Sequence, residues 1–195
     1  YGESLLQIMM TLGRFASDLL FFTSRELHFF QVDDSLVTGS SIMPQKRNLD
    51  AMEILRANVK VVQGCKDSIC SISTGLLSGY NRDLQLIKKS LMDAVFITQS
   101  SLEVCLLHIQ GIKPLNDNIE DRICKDIFAA DIATAMAAEK GVPFRDAYKE
   151  AMASMGDQGS FNFQQEIEAK KSLGAAGNLG LDLLYKRLES NQNQL

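Results

Sequence analysis

The segment 52–72, MEILRANVKVVQGCKDSICSI, decides the fold class of this chain. Its apolar side chains recur at intervals of three, four or seven residues, which places them along one face of a long helix. These residues are Met52, Leu55, Val59, Val62, Ile69 and Ile72. The same alternation continues from about Asp83 to His108, so the sequence predicts two helices of about 25 residues, each about 37 Å long. A short connection through Gly75 and Gly79 makes them antiparallel neighbours, as in helix bundles.

The sequence on either side of this helix pair is also helical. Upstream, apolar residues in the segment 5–22 recur at the same spacing and predict another helix. Downstream of residue 112 the predicted helices are shorter, and Gly141 ends the first of them. These helices are expected at about residues 131–140, 144–155 and 179–188. We therefore predict an all-α fold, in which residues 1–111 form a domain of long antiparallel helices and residues 112–195 form a small helical C-terminal domain.

The composition excludes several classes of protein. Apolar residues make up 46% of the 195 residues and charged residues 23%, which is typical of a folded core and not of a disordered chain. The net charge of −4 leaves no basic surface for nucleic acid or anionic lipid. No long uncharged apolar run is present, so we predict no membrane span. Four cysteines without a CxxC pair and two histidines favour reduced thiols in a cytoplasmic protein that holds no metal.

The length of the two central helices has a consequence for assembly. Helices of this length cannot bury their apolar seams against each other alone, so part of each seam is left exposed. Helices from other copies of the chain would cover this surface, which predicts a homo-oligomer. A bundle that closes on itself as a monomer is the alternative.

The chemistry of the chain is concentrated in the loop before the first of these two helices. The segment 31–48 breaks the helical period and contains GSSIMPQKRN at residues 39–48. Lys46 supplies a positive charge, Asn48 an amide donor, and the following helix start adds backbone N–H groups, which together suit a carboxylate. Asn48 or Asp50 can cap that helix. A solvated loop without function has a similar composition.

Residues 39–48 match every fixed position of G-S-x-x-M-P-x-K-x-N, the signature of the fumarase/aspartase superfamily. Two further segments, YNRDLQ at 80–85 and KGVPFRDA at 140–147, resemble argininosuccinate lyases in particular. Arg47 stands where that family more often has Lys, and Leu49 where it often has Pro. The resemblance weakens after about Met155, and it implies that the chain corresponds to the C-terminal portion of a longer polypeptide.

The resemblance implies a fumarase/aspartase-type helical bundle, a homotetramer and a reaction without a cofactor. The expected reaction is the reversible cleavage of argininosuccinate to arginine and fumarate through an aci-carboxylate intermediate, a step of arginine biosynthesis. The implied catalytic residues are Ser40, Lys46, Asn48 and Glu53, and the implied substrate-binding residues are Tyr80, Gln85 and Lys88. Each site of the family draws on several subunits, and its acid–base histidine lies upstream, so this chain alone is expected to be inactive.

Alternatives remain open for several of these assignments. Ser41 is the local competitor of Ser40, whose role as proton acceptor or donor is undecided. Glu53 is also favourable as an acidic residue in the first turn of a helix. His28 and His108, expected within helices, are interpreted as structural. The alternatives for the whole protein are another lyase of the superfamily, namely adenylosuccinate lyase, fumarase or aspartase, and a δ-crystallin-like structural protein without activity.

Overall fold

The computed structural model of the chain describes residues 1–39, 42–43, 47–154 and 162–193. These residues form two compact units, Tyr1–Asp121 and Arg122–Leu195. The sequence-based boundary after residue 111 lies just before a short strand, 112–114, that pairs with residues 30–32 of the first unit. This pairing explains why the first unit extends beyond the long helices.

Within the described residues, the first unit is built on three long helices. They are α1 (Gly2–Phe22), α2 (Asp50–Ile72) and α3 (Ile87–Gly111). Two three-residue antiparallel strands, β1 (Phe30–Val32) and β2 (Ile112–Pro114), and the short helix α4 (Asn116–Glu120) complete it, together with 3₁₀ turns at Asp34–Leu36 and Arg82–Leu86. The predicted all-α fold with long helices is confirmed. The strands and α4 were not predicted, because three to five residues do not complete a recognisable period.

The three helices alternate in direction, which gives the unit two distinct ends. The N-terminus of α1 lies beside the C-terminus of α2, since Gly2 lies next to Lys66 and Ile69. The C-terminus of α3 lies beside the segment that leads into α2, since the Asp33 N–H donates to the Gly111 carbonyl over 3.0 Å. We call the end with β1, β2 and the start of α2 the loop end. The opposite end, with residues 73–86, is the far end.

The core of this unit lies where the predicted apolar faces meet. The largest fully buried side chains are Met9 of α1 and Met52, Leu55 and Val62 of α2. Each such side chain contributes about 1.5–3 kcal/mol through its removal from water. The face that α3 buries is made of smaller and more polar residues, namely Ala94, Thr98, Ser101, Cys105 and His108. Small residues let α3 lie close to its neighbours. Many of its larger apolar side chains are exposed instead.

The two histidines differ in their surroundings. His108 is buried in α3 as a structural residue, and its Nδ1 lies 2.8 Å from the Val104 carbonyl oxygen. His28 was expected within a helix, but it lies in the turn between α1 and β1 with a positive φ of 47°. The helix ends at Phe22: the N–H of Thr23 still donates to the Leu19 carbonyl, whereas the N–H of Ser24 donates to the Phe21 carbonyl in a tighter turn.

Replacement of Gly13 by alanine should lower the free energy of unfolding by about 1–3 kcal/mol, because overpacking strains a dense core. An added Cβ at this position would lie 2.7 Å from Cγ2 of Val59, a β-branched side chain with little freedom to move. Gly64→Ala is the matched control on α2: its Cβ would meet nothing within 4 Å, and alanine should raise stability by up to about 1 kcal/mol. Urea denaturation followed by circular dichroism measures both, and equal destabilisation by the two changes would contradict this packing.

Two helical stretches, Gly2–Phe22 and Arg82–Gly111, are long and apolar enough to cross a membrane by length and composition alone. Neither stretch was predicted to span a membrane, because charged residues interrupt both. The core helices of water-soluble proteins meet the same criteria. In each stretch 22% of the apolar window is buried: α1 places Met9, Ala16 and Leu19 in the core of the first unit, and α3 places Ala94 and Cys105 there.

The second unit is also helical. It contains α5 (Ala129–Lys140), α6 (Phe144–Ser154), α7 (Phe163–Glu168) and α8 (Leu181–Gln192). Gly141 ends α5 in the left-handed conformation, as predicted. Small residues line the contact between α5 and α6, where Ala133, Ala147 and Ala151 are buried. The six residues of α7 were not predicted.

Candidate functional site

The chemically distinctive loop is closed at its base by a β-bridge between Thr38 and Asn48. The Thr38 N–H donates to the Asn48 carbonyl over 3.0 Å, and the Asn48 N–H donates to the Thr38 carbonyl over 2.9 Å. The Thr38 hydroxyl also donates to Oδ2 of Asp50, 2.5 Å away, in the first residue of α2. The two ends of the loop are thus fixed to each other and to the start of the helix.

Helix α2 begins where it was predicted to begin, but it is capped differently. Its N-cap is Leu49, and neither Asn48 nor Asp50 forms a side-chain cap. The Leu49 carbonyl accepts hydrogen bonds from the N–H groups of Met52 and Glu53, and its side chain is buried in the core. Burial of the apolar Leu49 side chain therefore fixes the start of α2.

An ion pair also connects the C-terminal end of the loop to the turn after β1. The Arg47 guanidinium contacts the carboxylate of Asp34, which lies in the 3₁₀ turn after β1. Both side chains are more than half exposed, so the pair contributes at most about 1 kcal/mol. Asp33 caps this turn, and the N–H and hydroxyl of Ser35 donate to its carboxylate, which lowers the pKa of Asp33. The roles of Thr38 and Asp34 were not predicted, because single Thr and Asp residues carry no distinctive local signal, and Asp50 was expected as a cap and instead accepts from the Thr38 hydroxyl.

Two of the four predicted catalytic residues, Asn48 and Glu53, are described at this loop end. Ser40 and Lys46, and the competitor Ser41, lie outside the described residues. Asn48 is half-buried, and the bridge to Thr38 occupies its backbone groups. Glu53 is exposed in the first turn of α2, about one turn from Asn48. Of these four residues, the structure therefore describes two, Asn48 just before α2 and Glu53 in its first turn.

The predicted substrate-binding residues lie together at the far end. The Gln85 Nε2 donates to the Tyr80 hydroxyl oxygen over 3.1 Å. Lys88 lies in the first turn of α3, three residues after Gln85 and therefore on the same side of the chain. The turn before them is shaped by Asn81, whose side chain donates to the carbonyl oxygens of Leu77 and Gly79. Tyr80 is 78% exposed, so this cluster faces solvent.

The two groups of predicted residues are not brought together within one chain. Asn48 and Glu53 lie at the start of α2, and Tyr80 and Gln85 follow its end. The 23 residues of α2 span about 35 Å at 1.5 Å per residue. A small substrate that contacts both groups must therefore bind between different copies of this chain, or only one group can be used.

Within the described part of the chain, no group of three His, Cys, Asp or Glu residues is arranged to hold a metal ion. Cys65, Cys70, Cys105 and Cys124 carry free thiols. Burial raises the pKa of the Cys105 thiol, which keeps that thiol protonated and unreactive.

Comparisons with known sequences identify related enzymes. A family model described as "Lyase" matches residues 3–64. The argininosuccinate lyase of Sorangium cellulosum is 39% identical over 183 residues, which are 94% of this chain and 42% of that protein. The argininosuccinate lyase of Sulfurisphaera tokodaii is 34% identical over 196 residues, or 99% of this chain and 42% of that protein. The chain thus spans less than half the length of these curated relatives.

Comparisons with solved structures agree on the fold. EDDS lyase in complex with formate superimposes with a TM-score of 0.74 at 16% identity, over 99% of this chain and 46% of that one. A class II fumarase from Schistosoma mansoni has a TM-score of 0.58 at 16% identity, over 76% of this chain and 34% of that one. At these identities the likeness concerns the helical architecture.

Proposed function

The chain belongs to the fumarase/aspartase superfamily as an argininosuccinate lyase relative, and from this premise we propose that it works in the cleavage of argininosuccinate to arginine and fumarate. Identities of 34–39% to curated argininosuccinate lyases extend over 94–99% of the chain. Since the chain spans 42% of those proteins, the activity belongs to an assembly that also contains the remaining part.

The loop end stabilises the charge that develops during the reaction. Removal of a proton from the carbon next to a carboxylate places a second negative charge on that carboxylate, and expulsion of the guanidinium nitrogen then yields fumarate. Lys46 and Asn48 hold the charge-rich carboxylate, a kind of interaction worth about 10²–10³ in rate per donor. Ser40 transfers a proton as acceptor or donor, and Glu53 pairs with a histidine from the remaining part of the enzyme.

The far end binds the rest of the substrate. Because Gln85 donates to the Tyr80 hydroxyl oxygen, the two side chains orient each other before the substrate arrives. The Tyr80 hydroxyl keeps its own proton for donation, and Lys88 adds a positive charge within one helical turn of Gln85. This combination suits a carboxylate of an amino-acid substrate.

The separation of the loop-end residues from the far-end residues along α2 supports a site that is shared between subunits. A site that uses both groups needs the loop end of one subunit beside the far end of another. Helix α3 offers the surface for such an assembly, because it exposes a stripe of large apolar side chains. The stripe consists of Met92, Val95, Leu102, Leu106 and Ile109. We accordingly assign the chain to a soluble, cytoplasmic homotetramer that needs no cofactor.

Fumarate release from argininosuccinate, followed by its ultraviolet absorbance, tests the proposal. The chain alone should produce no fumarate above the uncatalysed background. Co-expression with the N-terminal part of the Sorangium cellulosum enzyme that the chain does not span should restore production. Adenylosuccinate, malate and aspartate serve as control substrates. Preference for one of these, or turnover by the chain alone, would contradict the proposal.

A further inference from the structure

An open cavity of about 450 Å³ lies at the loop end, between the turn after α1 and the base of the loop. Its polar walls include the side chains of Arg25, His28 and Arg47. Its apolar walls include Phe30 and Val32 of β1 and Leu49 of the α2 N-cap. A cavity of this size accommodates a small organic molecule. The proposed catalysis assigns no role to any of these six residues.

The charged groups of this cavity are of one sign. None of the described residues that line it is acidic. Arg25 is exposed, and it forms no ion pair with the described residues. Arg47 pairs with Asp34, which lies outside the cavity lining, through an exposed contact that an incoming anion can displace. The cavity therefore attracts anions, and guanidinium groups are well suited to carboxylates.

The backbone at the cavity wall holds an uncommon conformation. His28 has a φ of 47°, in the left-handed region that only a few per cent of residues other than glycine adopt, His, Asn and Asp more often than the rest. Its N–H donates to the Ser24 carbonyl over 2.7 Å, and its carbonyl accepts a hydrogen bond from the Asn118 side chain over 2.8 Å. These two bonds fix the turn and keep the imidazole at the cavity wall, where it offers an additional hydrogen-bonding group.

We propose that this cavity binds a small organic dicarboxylate, with its carboxylates on Arg25 and Arg47 and its carbon chain against Phe30 and Val32. The apolar walls favour a ligand with a carbon body over an inorganic anion. Because Arg47 also anchors the loop through Asp34, the ligand competes with Asp34 for the same guanidinium. Binding is thereby linked to the contact between Arg47 and Asp34.

Isothermal titration calorimetry of the 195-residue chain with succinate tests this site. Arg25→Gln and Arg47→Gln should each weaken binding by about tenfold or more, because each removes a charge-assisted contact. Asp34→Asn should strengthen binding by about two- to fivefold, because it removes the exposed competitor for Arg47. Arg56→Gln, a charge removal on α2 outside the cavity lining, is the matched control and should leave binding unchanged.

Two comparisons separate this site from the proposed catalytic loop. Asn48→Ala should leave succinate binding intact, and inorganic phosphate should bind about tenfold more weakly than succinate for lack of a carbon body. A circular dichroism spectrum of each variant checks that it is folded. Absent succinate binding, equal binding of phosphate, or binding that depends on Asn48 and not on Arg25 would overturn the proposal. The last result would still agree with the function proposed for the loop.

Discussion

Two inactive variants of this chain, Lys46→Met and Gln85→Ala, should together restore lyase activity when they assemble in mixed oligomers. In the sequence Lys46 directly precedes Arg47 of the loop end, Gln85 lies at the far end, and α2 separates these ends by about 35 Å. A site that combines the two ends from different subunits is intact when the loop comes from the Gln85→Ala chain and the far end from the Lys46→Met chain. Random mixing makes about a quarter of the sites intact.

The measurement is fumarate production by both chains co-expressed with the complementary N-terminal part. A mixture of Lys46→Met with Asn48→Ala is the matched control. Both changes lie in the same loop, so no site in that mixture receives an unaltered loop, and activity should stay at the level of the single variants. Mass spectrometry shows whether mixed oligomers form. If they form from Lys46→Met and Gln85→Ala chains and still produce no fumarate, the site is not shared between subunits.

Replacement of Asn48 by alanine should lower kcat by about 10²–10³, the cost of losing one well-placed donor to a developing charge. The bridge to Thr38 uses only backbone groups of Asn48, so alanine keeps both of its hydrogen bonds. A large fall in activity would therefore report the loss of the side-chain amide and not the loss of the loop base. Steady-state kinetics of the reconstituted enzyme separate the effect on kcat from that on KM.

Thr38→Val is the matched control for the Asn48 variant. It removes the hydroxyl that donates to Asp50 and keeps the backbone bridge, so it alters the anchoring of the loop without removing a group proposed to touch the substrate. We expect a reduction of kcat by less than about tenfold, since a neighbouring bridge still holds the loop. If Thr38→Val and Asn48→Ala had equal effects, Asn48 would be structural.

The long helices could be predicted because their information is local. Met52, Leu55, Val59 and Val62 were expected on one face, and all four are buried in the core. On α3 the same reasoning was only partly right. Leu102, four residues after Thr98 and three before Cys105, continues the spacing that predicted this helix, and yet it is 45% exposed, because the small residues of α3 form its buried face. Periodicity identifies a helical face, but the volume of its neighbours decides which face is buried.

The sequence alone determined the helical class of this protein and the chemical types of its candidate residues. Both follow from residues close together in the chain, such as the spacing from Met52 to Val62 and the ten residues 39–48. The tertiary structure alone decided how the base of that loop is held. The bridge between Thr38 and Asn48 closes the loop, and the pairing of β1 with β2 holds the segment before it beside the end of α3. These contacts join distant parts of the chain, and their geometry depends on packing that no local pattern records.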